Sequence, residues 1–474
     1  VRHRPAAVLA AALLVLAGAG AAPAAPAADA PAAGAAGIGD PYFPADGNGG
    51  YDVRHYDVHV STAVADGRLS GRATITATAT QDLASFHLDL LLPVSSVRVD
   101  GRPAARDRPD RHELRITPAA PIPAGRSFRV SVTYAGRPGS VSWRGERAWV
   151  ANRHEIVTMG QPQMAAWWFP ANDHPRDKAT FDVSVRVPRG RQAVSNGRLV
   201  ERTAGRRWTV FHWRQADPMA TYLAFFAAGD FTLERGRTAA GTPYLLAVSE
   251  RLAPGERRRA MALLRRTPTI QAWLERHLGR YPFRSTGGLV TSLDPGFALE
   301  NQTRPTYPYL GGAGQDWIVA HELAHQWFGD GVSLESWRDI WLNEGLATWF
   351  EVRWDDYGGS ASMPEWLTAT WESHADDPSF WDLPVDDPGR NRLFDEAVYV
   401  RGAMTVQALR NRIGATAFDT LLRRWVGERR FGSGSTADFV ALAEEVGGQD
   451  LGAFFTAWLS TPERPARTAE NGLT

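Results

Sequence analysis

The sequence predicts an α+β protein in two halves, an antiparallel β half followed by a largely helical half. Three observations carry this. Between about residues 42 and 242, apolar side chains recur every second residue, the period of a half-buried strand. From about residue 243 the period lengthens to that of an amphipathic helix. At roughly 100–200 residues per domain, a chain of 474 residues has room for both halves, in about two to four domains.

The chain opens on Arg2, His3 and Arg4. An Ala/Leu/Val run from Ala6 to Ala17 follows, then small residues at Ala17-Gly18-Ala19. The run is too short to span a bilayer and has the length of a signal-peptide core. Residues 1–28 are therefore expected to be an export signal, and the protein to be secreted. Residues 29–40 continue an Ala/Pro-rich stretch and are expected to be an unstructured linker. No later segment offers about 18 uninterrupted apolar residues, so no membrane span is expected.

Residues 41–242 form the expected β domain. Ala73 to Thr78, Phe128 to Tyr134 and Phe181 to Val187 each alternate apolar or small residues with polar ones. Asp100-Gly101, Pro123-Ala124-Gly125 and Asn196-Gly197 separate such runs as turns. Met219 to Ala228 is continuously apolar and is expected to be a strand buried on both faces.

Residues 243–465 form the expected helical domain, with 466–474 as a tail. Helices are predicted over 256–264, 269–278, 315–328, 337–354 and 395–412, with Gly279 closing the second. Arg257, Arg258 and Arg259 make a basic face that reads as solvated helix surface. Ser435-Thr436-Ala437-Asp438 starts another helix, and Gly447-Gly448 ends it.

Composition narrows the chemistry. Lys+Arg and Asp+Glu both number 52, so the net charge is zero and a phosphate-dominated nucleic-acid binder is disfavoured. Lysine occurs once, at Lys178. Cysteine is absent, which removes disulfides, thiolate metal sites and cysteine nucleophiles. Any metal must be held by His, Asp or Glu.

His321-Glu322-Leu323-Ala324-His325 supplies such a set. Residues four apart share a helix face, so both imidazoles can bind one zinc ion. Glu322, about 100° around the helix, can reach a water beside it. A catalytic zinc normally takes three protein ligands and keeps one position open. Trp341-Leu342-Asn343-Glu344-Gly345 places a carboxylate after His325 with 18 residues between, where a returning helix can present it.

His-Glu-Leu-Ala-His-Gln-Trp-Phe-Gly at 321–329 with Trp-Leu-Asn-Glu-Gly at 341–345 resembles the aminopeptidase N-type gluzincin metallopeptidases. The resemblance implies a saddle-like antiparallel β domain followed by a thermolysin-like catalytic domain. It implies one zinc ion per chain, held by His321, His325 and Glu344, with Glu322 as general base. Gly296-Phe297-Ala298-Leu299-Glu300-Asn301 is similar to the family's Gly-x-Met-Glu-Asn motif, with leucine for methionine and Phe297 added. By that likeness Glu300 receives the substrate's free α-amine, and Asn301 belongs to the substrate site. Asn301-Gln302-Thr303 also fits a glycosylation acceptor, but its place in a cleft strand argues against that use. Phe394 to Ala403 resembles the family's Tyr-x-Lys-Gly-Ala region with arginine for lysine, which makes Tyr399 the group that stabilises the oxyanion. Gln161, ahead of Phe169-Pro170, is similar to the Glu or Gln that contacts the amine end.

The implied activity is zinc-dependent hydrolysis of the N-terminal peptide bond of peptides with a free N-terminus. The alternatives are an endopeptidase or epoxide hydrolase on the same scaffold, or a catalytically silent binding module. Every ligand and the base are present, which disfavours the last. Many relatives continue into a large C-terminal helical domain; none is expected within this sequence. Asp339 and Thr348 are possible supporting groups outside the site. Oligomeric state and preferred terminal residue are not legible.

Overall fold

The computed structural model of the chain describes residues 1, 30–146, 148–311, 314–357 and 362–474. Apart from residue 1, the expected export signal lies outside these residues. Pro31–Thr474 form one compact unit. Among the described residues, no helix is long and apolar enough to cross a membrane.

An eight-stranded sheet dominates the first half. Its order is Arg198–Ala204, Trp208–Met219, Ala179–Pro188, Tyr51–Thr62, Leu69–Ala79, Ser127–Gly136, Val94–Val99 and Arg102–Pro103. All neighbours are antiparallel except Ala179–Pro188 beside Tyr51–Thr62. The period-two runs lie here as expected: in Ser127–Gly136, Phe128, Val130, Val132 and Tyr134 are buried, and Arg129 and Thr133 between them are exposed. Asp100 and Gly101 both take positive φ, 49° and 79°, the backbone of a tight hairpin turn whose twist matches its strands.

Two smaller sheets flank it. One joins Ala32–Ala33, Leu83–Asp89, Glu113–Thr117 and Ala105–Asp107; the other joins Trp149–Ala151, Ile156–Thr158, Phe226–Gly229 and Gln192–Ser195. A fourth sheet, Phe231–Arg237, Pro243–Ser249, Thr286–Val290 and Thr306–Tyr307, carries the catalytic half.

Four expectations need correction. The linker expected over 29–40 is packed from residue 31: Ala32–Ala33 pair with Leu83–Asp89, and buried Asp40 accepts bonds from Tyr42 N (2.8 Å) and Trp337 N (2.8 Å). Small residues let this segment lie against the sheet, and a Cβ at Gly34 would sit 2.6 Å from Gly49 O. The 242/243 boundary falls inside a hairpin, because Phe231–Arg237 pairs with Pro243–Ser249. Strands of a mixed domain alternate like those of a β domain, so the period did not mark the junction. Met219–Ala228 is buried throughout, but a short helical turn at Thr221–Leu223 divides it, and only Phe226–Gly229 is a new strand. The tail is docked: Trp458 Nε1 donates to Asn471 O (3.1 Å), Asn411 Nδ2 to Gly472 O (2.9 Å), and Leu473 is buried.

The helices are α1 (Pro254–Leu264), α2 (Thr267–Leu278), α3 (Asp316–Ala324), α4 (Trp341–Tyr357), α5 (Met363–Ser373), α6 (Pro378–Trp381), α7 (Glu396–Ile413), α8 (Ala415–Glu428), α9 (Thr436–Gly447) and α10 (Gly452–Phe455). Their ends carry the expected signals. Gly279 closes α2 at φ 84°, the Asp395 side chain accepts from Ala397 N at the start of α7, and Ser435 with Asp438 forms a capping box for α9. α3 is shorter than predicted, since a wide turn through Gly329 (φ 113°) follows His325. α4 and α7 cross where Gly345 meets Gly402; a Cβ on Gly345 would lie 2.8 Å from Gly402 Cα. Only paired glycines permit that approach, and it brings Glu344 of one helix beside Tyr399 of the other.

Candidate metal centre and active site

α3 delivers His321 on its last turn and His325 just past its end, where His325 N still bonds His321 O (3.2 Å). α4 returns antiparallel and puts Glu344 in its first turn. The Nε2 atoms of His321 and His325 are 3.1 Å apart, and Glu344 Oε2 is 3.6 Å from the first and 3.3 Å from the second. All three residues are buried.

The hydrogen bonds behind the rings fix what these atoms offer. His321 Nδ1 donates to Glu351 Oε2 (2.8 Å) and His325 Nδ1 donates to Phe328 O (3.1 Å). In its neutral form each ring so held turns an Nε2 lone pair towards Glu344. Three electron-rich atoms at this separation repel unless a cation lies among them. Their spacing matches the roughly 3.3 Å between ligands of a tetrahedral zinc with bonds of about 2.0–2.1 Å. The set fits zinc.

Glu351 is a residue that sequence reasoning missed. It lies seven residues after Glu344, two turns along the same face of α4, and that spacing was the available signal. Carboxylates behind metal-binding histidines fix the tautomer and raise the ring's basicity. Asp339 does not serve here: its Oδ1 accepts from Thr436 N (2.9 Å) and Oγ1 (2.7 Å), tying α9 to the turn before α4. The Thr348 hydroxyl is buried without a hydrogen-bond partner.

A cavity of about 220 Å³ opens over the triad. Gln161, Phe297, Ala298, Glu300, Trp317, Ile318, Glu322 and Tyr399 line it with the three ligands and Glu351. Burial pushes the Glu322 carboxyl up, to about 8, against the pull of His321 and His325. Burial, and then the charges of Glu344, Glu300 and Glu322, hold the Tyr399 phenol well above its ordinary value, so it stays a donor. Its ring lies 6.1 Å from that of His321, nearly parallel.

Glu300 sits on the sheet edge after the pairing of Leu299 with Thr306 (2.9 and 2.8 Å). Its carboxylate accepts from Gln161 Nε2 at 3.0 Å, and the Tyr222 hydroxyl lies near enough to favour the carboxylate's charged form. Tyr222 was hidden in the apolar run 219–228 and carried no separate signal. Leu299 is fully buried, so the leucine that replaces methionine faces the core, while Phe297 and Ala298 shape the pocket wall. Asn301 departs from its expected place: its Nδ2 donates to Leu223 O (3.1 Å), and it does not line the cavity. It braces the strand that carries Glu300. Arg401 is likewise outside the site, fully buried and spent on the carbonyls of Trp381, Leu383, Ala457, Trp458 and Thr461.

Residues 53–223 match the peptidase M1 N-terminal domain, and residues 314–458 match the peptidase family M1 domain. The chain belongs to the M1 family, the aminopeptidase N-type gluzincins. A solved structure of a mutant M1 zinc metallopeptidase from Deinococcus radiodurans, bound to a Tyr-Ser-Ala substrate, is similar with a TM-score of 0.80 and 27% identity. That match covers 91% of this chain and 100% of the other. Aminopeptidase N of Lactococcus lactis is 25% identical over 88% of this chain and 52% of its own length. A probable aminopeptidase 1 of Sulfurisphaera tokodaii is 25% identical over 66% of this chain and 42% of its own. The chain thus spans about half the length of the curated relatives it matches. An M1 β domain followed by an M1 catalytic domain is the predicted architecture, and the cofactor is zinc, for which His321, His325 and Glu344 form the fitting set.

Proposed function

We propose that the protein is a zinc aminopeptidase that removes the N-terminal residue of peptides. One observation carries this reading: the buried carboxylate of Glu300 shares a single cavity with the metal triad and Glu322. A buried carboxylate facing a cavity calls for a cationic partner, and only the first residue of a peptide brings an α-ammonium to the bond being cut. The related metallopeptidase that binds Tyr-Ser-Ala supports a short peptide as substrate.

The chain's own groups have separable tasks. Glu300, with the Gln161 amide beside it, holds the ammonium and so fixes which carbonyl lies over the triad. Bound zinc supplies Lewis acidity, polarising a carbonyl oxygen and lowering the pKa of water from 15.7 towards about 7. Glu322 takes the proton of the attacking water and passes it to the leaving nitrogen. The Tyr399 hydroxyl donates to the oxygen on which charge develops. Glu351 and Phe328 O keep both imidazoles in the ligating tautomer.

Export is part of the same proposal, supported by the basic start and apolar core of residues 1–28. N-terminal sequencing of secreted protein checks it. The activity is tested with one peptide in free and N-acetylated forms, followed by mass spectrometry. Stepwise loss of terminal residues from the free form alone is expected. Equal cleavage of internal bonds in both forms would favour an endopeptidase.

A further inference from the structure

A second cluster of metal-binding groups lies in the β half, outside the peptidase site. Asp89 ends the strand Leu83–Asp89, and Glu113 begins the strand Glu113–Thr117 directly opposite it. Two carboxylates facing each other across a strand pair repel and destabilise the pairing unless something positive lies between them. His112 precedes Glu113, and its ring is stacked at 8° on Trp143. Asp46 enters from the loop before the first long strand. Exposure is 0% for Asp46, Asp89 and His112 and 2% for Glu113.

The polar atoms of this cluster make no well-formed hydrogen bond, although Asp89 and Glu113 face each other closely and His112 lies near the Ala45 backbone. Both oxygens of Asp46, both of Glu113, Oδ1 of Asp89 and both ring nitrogens of His112 lack a hydrogen-bond partner. The other oxygen of Asp89 is used, accepting from Gly47 N (3.1 Å) and Asp173 N (2.7 Å), and this aims Oδ1 at the cluster. Around His112 Nδ1, Asp89 Oδ1 stands at 3.5 Å, Glu113 Oε1 at 3.6 Å and Asp46 Oδ1 at 3.7 Å. Among the described residues, no arginine or lysine is in ion-pair contact with these carboxylates. Neighbouring ligands around a tetrahedral cation, with bonds of about 2.0–2.2 Å, are separated by roughly 3.3–3.6 Å.

We infer that Asp89, His112 and Glu113, with Asp46 beside His112, form a second, structural binding site for a divalent cation of the zinc class. One imidazole among carboxylates favours a first-row transition ion over calcium or magnesium, which prefer all-oxygen sites. Asp89, His112 and Glu113 supply three ligand atoms within 4.8 Å of one another, and their burial away from solvent suits a structural rather than a catalytic centre. The bound ion joins three segments: the loop carrying Asp46, the strand ending at Asp89, and the strand opening with His112-Glu113. Through Asp173 N on Asp89, and Ala165 N on Asp173 Oδ2 (2.9 Å), it also steadies the segment after Gln161.

Elemental analysis of the full chain equilibrated with Zn²⁺ and freed of excess tests this. Native protein is expected to hold two equivalents, His325→Ala one, and His325→Ala combined with Asp46→Asn and His112→Ala none. Zn²⁺ should raise the Tm of His325→Ala and leave the Tm of the triple variant unmoved. Glu113→Gln keeps the side chain's volume, so in the His325→Ala background it repeats the test should His112→Ala fail to fold. One equivalent in the native protein and none in His325→Ala would overturn the inference. So would a Glu113→Gln protein of higher Tm with unchanged metal content, which would mean that Asp89 and Glu113 share a proton instead.

Discussion

Replacing Glu300 with alanine separates the reading of a chain end from the chemistry of bond cleavage. Glu300 is 2% exposed and accepts from Gln161 Nε2 with the Tyr222 hydroxyl nearby, so the side chain is held in one place before substrate arrives. Alanine removes the partner of the substrate ammonium and leaves the Gln161 amide without its acceptor. Truncating one member of a buried, hydrogen-bonded charge pair costs about 2–5 kcal/mol. At about 1.4 kcal/mol per factor of ten, kcat/KM should fall roughly thirty- to several-thousand-fold. The assay is initial rates on an aminoacyl-naphthylamide, with zinc measured on the same preparation. His321, His325 and Glu344 take no support from Glu300, so zinc content should not change. The ratio of rates on free and N-acetylated peptides should also collapse towards one, which general damage to the fold would not produce. A variant with full zinc, kcat/KM within about threefold of native and an undiminished ratio would refute the assignment of Glu300 to the amine.

Other perturbations address separate parts of the site and fold. Tyr399→Phe keeps the ring over His321 and removes the donor, so kcat should fall about 10²–10³-fold with little change in KM, as steady-state kinetics will read. Gly345→Ala drives a methyl to 2.8 Å from Gly402 Cα, and overpacking of this kind costs about 1–3 kcal/mol. Thermal unfolding should show a lower Tm, and activity should fall with it because Glu344 and Tyr399 are forced apart. Arg401→Met leaves buried carbonyls without their donor, at a cost of about 1–3 kcal/mol for each group left unsatisfied, a loss that denaturant unfolding should register.

The catalytic centre was largely legible because its ligands lie in two short segments whose spacing reflects helix geometry. His321 and His325 are one helical turn apart, and Glu344 follows on the returning helix. Glu351 could have been read from the same face of α4, but a lone glutamate at the polar end of a helix has many uses. Tyr222 could not, because an apolar run conceals which of its side chains turns towards a cavity. Asn301 shows the opposite error: a motif names neighbours, and only the backbone decides which of them faces the substrate. The junction near residue 242 was misplaced because period two marks a strand without saying which sheet it joins. Asp46, Asp89, His112 and Glu113 gave no signal because they come from three segments. The order of residues 31–40 was missed for a related reason, since Ala and Gly say nothing alone and Asp40 acquires its partners from Trp337, almost 300 residues away.

The most direct test combines metal content with turnover in Glu322→Gln. The substitution preserves size, leaves all three ligands in place and removes only the group that moves the proton. Zinc should remain at the native level, the Tm should be close to native, and kcat should fall by about 10²–10⁴-fold. Native protein stripped by a chelator should lose turnover and regain it with Zn²⁺. A Glu322→Gln protein that keeps native kcat, or a metal-free preparation that keeps native activity, would contradict catalysis by this site.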